Sequence, residues 1–135
     1  MLTSNLEKIE RFAAKVWRIH SKEDPINQLS FNEYDYLKVI QLAPEPIRLT
    51  DLAVEMEVTK PSATNMVQRL ERKGLVQRKM CTEDSRAKRI ELTEKAIIGL
   101  QEESHVYGIM SKGLEKKLSR EELEQLNLLL TKALK

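Results

Sequence analysis

Asn65, Gln68, Arg69 and Arg72 are the residues whose types and spacing best suit recognition chemistry in this chain. At 3.6 residues per turn they share one face of a helix, opposite the apolar set Ala63, Met66, Val67 and Leu70. Amide and guanidinium groups presented together can form the bidentate hydrogen bonds that read adenine and guanine edges. Ser62 and Thr64 lie at the borders of that face. Thr59, Lys60 and Ser62 stand at the helix N-terminus, where hydroxyls, an ammonium and the helix dipole suit phosphate oxygens.

Other chemistry finds less support. The two histidines, His20 and His105, are far apart in sequence, and no spacing supplies further ligands for a metal or an acid–base site. Neither a phosphate-cradling glycine loop nor a nucleophile elbow occurs. The expectation is a non-enzyme with no metal and no cofactor. Cys81, near Arg78, Lys79 and Lys88, raises a redox hypothesis, because cations lower a thiol pKa; a residue without a functional role is the favoured reading.

Local signals position the recognition residues. Thr59 can cap the helix, with Pro61 in its first turn, where a missing N–H costs little. Gly74 can end it in a left-handed conformation, letting Leu75 pack back on Leu70. LVQRK and AKRIEL then read as two strands joined by the polar loop MCTEDSR. Thr59 to Arg89 holds nine Lys/Arg against three acids, so the segment is +6 in a chain of net +2. Basic charge gathered in one place suggests phosphate contact, although a solvated surface would give the same count. A polar-faced helix followed by a basic hairpin is the layout of a winged helix-turn-helix.

Upstream, Ser30 and Glu33 form a capping box, with Leu29 and Tyr34 as its staple, opening a helix that Pro44 and Pro46 stop at Leu42. A short strand is expected at 47–49. Thr50 is predicted to cap a helix ending at Met56, with Leu49 and Val54 as its staple, and Glu57-Val58 to turn into the recognition helix. Thr93 caps a long helix carrying Gly99, Gly108 and Gly113, which signal either a bend or the close approach of another element. Ser119 and Glu122 open the last helix.

The first helix carries Leu2, Leu6, Ile9, Ala13 and Val16, and the last Leu123, Leu126, Leu130 and Leu134. That is more apolar surface than a small core needs, so both read as a dimer interface. The fold class is mainly α with a small β-hairpin wing, in the order α-α-α-α-β-β-α-α. The 135 residues form one domain, with 1–24 and 97–135 as dimerisation helices around a winged module at 30–93. Apolar runs fall short of a membrane span, the N-terminus has no signal-like core, and a single cysteine fits a reducing compartment. A cytoplasmic protein is expected.

LERKGLVQRK, Asp84-x-Arg86 and Leu92-Thr93, taken in order, resemble the MarR family of bacterial winged-helix regulators. The resemblance covers nearly the whole chain; one departure is Ala96, where the family usually has glycine. It implies a DNA-binding transcriptional regulator, expected to be a repressor, bound as a homodimer to a pseudo-palindrome in double-stranded DNA. It further implies that Arg86 enters the minor groove and Asp84 orients the wing, with Lys88 and Arg89 neutralising phosphates. Many such proteins release DNA when a small aromatic effector enters a crevice; Phe12, Val16, Trp17, His20 and Tyr36 are the candidates to line it, against plain core packing. A winged helix used as a protein-interaction scaffold is the alternative function.

Overall fold

The computed structural model describes residues 1–21, 26, 28–80 and 88–135. In chain order the elements are α1 (Leu2–His20), α2 (Phe31–Leu42), β1 (Ile47–Arg48), α3 (Leu49–Met56), α4 (Lys60–Arg72), β2 (Val76–Met80), β3 (Lys88–Leu92), α5 (Glu94–Glu115) and α6 (Arg120–Ala133). They form two units: Lys22–Gln101, and Met1–Ser21 with Glu102–Lys135. The expected order and the short third strand are both present.

The first of these units is a winged helix. α2 starts at the predicted capping box: the Glu33 N–H donates to Ser30 Oγ and the Ser30 N–H to Glu33 Oε1, each at 3.1 Å. It stops at Ala43, which is extended before Pro44, as the residue preceding a proline prefers. α3 begins earlier than its sequence suggests. Its N-cap is Arg48, without a side-chain cap bond, and Thr50 lies inside the first turn. The cause is β1, which pairs Ile47 with Ile90 and Arg48 with Arg89 and so holds Arg48 extended right up to the helix. Consequently Ile47 and Leu52, rather than Leu49 and Val54, stand in the staple positions; Val54 is exposed.

α4 is capped as expected, Thr59 Oγ1 accepting the Ser62 N–H at 3.2 Å. It ends in a Schellman motif at Gly74, φ +74°, where the Gly74 N–H bonds Glu71 C=O and the Leu75 N–H bonds Leu70 C=O. Leu70 and Leu75 are both fully buried. The antiparallel sheet has the order β1-β3-β2, with Arg78 opposite Ile90 and Val76 opposite Leu92. Tyr36, Leu37, Leu52, Val67, Leu70 and Ile90 anchor the core, which Ala96 and Leu100 at the start of α5 complete.

In the other unit, Val106 and Met110 of α5 are buried, and Trp17 meets Tyr107 edge to face with centroids 5.4 Å apart. α1 and α6 bury no residue fully, leaving Leu2, Leu6, Ile9, Leu128, Leu129 and Leu134 exposed. Among the described residues no helix is long and apolar enough to cross a membrane.

α5 runs without a break through its glycines. At Gly99 the reason is close approach, since a Cβ there would collide with Cγ1 of the buried Ile26. Gly99→Ala is therefore expected to lower unfolding free energy by about 1–3 kcal/mol despite the better helix propensity of alanine. Urea titration checks this, and adding Ile26→Ala should make the alanine at 99 less costly than it is alone.

Candidate nucleic-acid interface

α4 carries the candidate reading residues and is held at both ends. At its start the Thr59 hydroxyl donates to Ser62 Oγ at 2.9 Å while accepting the Ser62 N–H. The Ser62 hydroxyl thus keeps its proton for an outside acceptor. The Thr64 hydroxyl donates to the Lys60 carbonyl at 2.9 Å and is half-buried. Lys60, Asn65, Gln68, Arg69 and Arg72 are exposed, and among the described residues their side chains make no hydrogen bond or ion pair with the protein.

The C-terminal end of α4 is clamped by residues whose role the sequence did not reveal. Lys73 Nζ donates to Glu33 Oε2 of α2, whose other oxygen accepts the Ser30 N–H. Lys95 Nζ donates to the Lys73 carbonyl at 3.2 Å, and the Thr93 hydroxyl to the Gly74 carbonyl at 2.7 Å. These bonds satisfy carbonyls that a helix end leaves open. Glu33 is only 5% exposed. Burial pushes its carboxyl pKa up, but the Lys73 bond and the two Ser30 bonds outweigh that, leaving it below its ordinary value. In the sequence Glu33 showed only its capping half, and Lys73 was counted with the phosphate-facing cations.

Pairing sorts the basic residues of this region. Arg78 bonds Glu71 at 3.1 Å. Arg89, expected beside Lys88 at phosphates, donates through Nη1 to Glu45 at 3.0 Å and to the Pro46 carbonyl at 3.1 Å. Its place opposite Arg48 in the sheet turns it toward the loop before β1, where it acts as a strut. Lys88 is exposed at the start of β3. Cys81, Asp84 and Arg86 lie outside the described residues.

The crevice candidates are divided between the two units. Tyr36 is 2% exposed in the core of the winged unit, and burial raises its phenol pKa. Phe12, Val16 and Trp17 are half-buried and His20 exposed on α1.

A capped, outward-facing helix behind a short helix, followed by two strands that complete a three-stranded sheet with β1, defines a winged helix-turn-helix protein. A model of the MarR family matches residues 29–88. That stretch, α2 to the start of β3, is similar to the family, and it holds the recognition helix that carries the resemblance. Solved structures agree in fold along almost the entire chain. A MarR-like transcriptional regulator from Thermotoga maritima is 22% identical, with a TM-score of 0.79, covering 99% of this chain and 94% of its own. Streptococcus pneumoniae FabT in complex with DNA is 23% identical, with a TM-score of 0.75 and coverages of 98% and 89%. S. aureus MepR bound to ethidium bromide is 24% identical, with a TM-score of 0.75 and coverages of 99% and 94%.

The clamp has a pH signature. A carboxyl whose pKa is depressed on folding adds stability above its unfolded value, near 4.5, and loses it as pH falls through the folded value. Glu33→Gln should cost on the order of 1–3 kcal/mol at neutral pH. Its stability should also fall less steeply than wild type below about pH 4.5. Urea titrations across pH 3–7 for both proteins provide the check; parallel curves would show that the pair is not coupled to folding.

Proposed function

We propose that this protein is a sequence-specific DNA-binding transcriptional regulator, a repressor that binds a pseudo-palindromic operator as a homodimer. The observation that carries this reading is the outer face of α4. Its reading groups are exposed and unpaired, while the helix is fixed at both ends by Thr59 and by the Glu33–Lys73 clamp. Holding polar side chains on a rigid, exposed helix suits base contact, because little ordering remains for binding to impose. The solved complex of FabT with DNA supports the same use of this fold.

Asn65, Gln68, Arg69 and Arg72 read base edges in the major groove, with Thr64 at the border of that face. Lys60 and the Ser62 hydroxyl hold the phosphates at the helix N-terminus, with Thr59 orienting Ser62 for that contact, and Lys88 does so from the wing. Arg86 enters the minor groove and Asp84 orients the wing. The exposed leucines of α1 and α6 support pairing of two copies, which would set two recognition helices about 34 Å apart, one DNA turn. Bacterial cytoplasm, where such DNA is found, is the site of action. A small aromatic effector releases the operator by favouring a dimer of mismatched helix spacing. The MepR structure with ethidium bromide supports small-molecule binding within this fold.

Selection from random duplexes tests the assignment. Asn65→Ala and Gln68→Ala should each change which sequences are enriched, relaxing preference at one position by about 1–3 kcal/mol. Arg86→Ala should weaken all sequences alike and flatten the log–log salt dependence by about one. Enrichment identical to wild type in all three variants refutes the reading.

A further inference from the structure

Lys8, Arg11, Lys15 and Arg18 succeed one another on α1 at spacings of three, four and three residues. At 3.6 residues per turn that places all four within about 80° of arc and along about 15 Å of helix. Leu2, Ile9, Ala13 and Val16 occupy the opposite arc, and the acids Glu7 and Glu10 fall outside the basic one. All four cations are exposed, and among the described residues none has a hydrogen bond or an ion pair. Glu7 stands four residues before Arg11, a favourable pairing distance, yet the two do not pair. With Phe12 and Ala14 the four bound an open groove of about 410 Å³. Phe12 is held from behind, since a Cβ on Gly113 of α5 would touch its ring at 3.3 Å.

Four like charges at helical spacing repel one another, and Glu7, the acid beside their arc, pairs with none of them. We propose that this stripe is a second DNA-contact surface, which binds the phosphates of a duplex without reading their sequence. The proposal rests on the DNA-binding reading above. Each DNA strand carries one phosphate per about 3.4 Å of axis, so a straight 15 Å stripe can lie beside about four of them. An anionic bilayer fits less well. A helix lying in a membrane surface buries its apolar arc in lipid. Here Phe12, Ala13, Val16 and Trp17, on and beside that arc, are already half-buried in protein.

The test compares salt dependence of binding for wild type and K8Q/R11Q/K15Q/R18Q. The probes are a long duplex enriched from the random selection and a scrambled duplex of equal length. Glutamine keeps helix propensity close to that of lysine and arginine. The log–log salt slope should become shallower by about 2–4 on both duplexes, while the enriched sequence stays the same. The charge-preserving variant K8R/R11K/K15R/R18K should keep the wild-type slope. If the quadruple variant does not fold, K8Q/R11Q and K15Q/R18Q should each give about half the change. Unchanged slopes in a protein whose slope Arg86→Ala still flattens would overturn the proposal and leave the DNA reading intact. Wild-type protein without salt-dependent DNA binding would overturn both. Sedimentation with phosphatidylserine vesicles that the quadruple variant loses, with DNA slopes unchanged, would assign the stripe to lipid and overturn the proposal.

Discussion

Glu33 uses both of its carboxylate oxygens, and the recognition helix depends on the second. One oxygen closes the capping box of α2, the other receives Lys73 at the end of α4. A buried carboxylate is tolerable only when such bonds replace its lost water, and here they more than offset burial. The result is a fixed joint between the start of one helix and the finish of another. Thr93 and Lys95 add bonds to the same end of α4 from the start of α5. Orientation is thereby set from the termini, which leaves the outward face free of structural duties.

The same division of labour runs through the basic residues. Lys73, Arg78 and Arg89 each have a carboxylate partner, so their charge is largely spent within the protein. Lys60, Arg69, Arg72 and Lys88 have none among the described residues. The second group offers its whole charge to phosphate, whereas the first shares its charge with an internal carboxylate. A net charge of +6 over Thr59–Arg89 therefore overstates what that segment offers to a polyanion. The stripe on α1, in a helix with only two acids of its own, offers more than its modest count suggests.

What was legible in the sequence was local. The caps at Ser30, Thr59 and Ser119 and the left-handed Gly74 all formed, because each is decided by atoms within a few residues. Thr50 failed as a cap for the opposite reason. Its rival, the extended Arg48, is held by a strand some forty residues away, and pairing there outweighs a hydroxyl's local preference. The partners of Arg89 were hidden in the same way, Glu45 and Pro46 lying on the far side of the recognition helix in sequence. In the reading face, the apolar period of α4 identified the outward residues, but nothing local could show which cations would be left unpaired.

α5 gives the sharpest instance of that boundary. Ala96 departs from the family's usual glycine, and Gly99 lies one turn further on. From sequence the two positions look alike, small residues in a long helix. In the structure Ala96 is completely buried, so the core already accommodates its methyl group. At Gly99 the same methyl would meet Ile26. The difference lies in which wall each residue faces, and that wall comes from a segment more than seventy residues earlier in the chain. A departure from a family pattern is thus harmless or prohibitive according to a long-range contact that neither the pattern nor helix propensity contains.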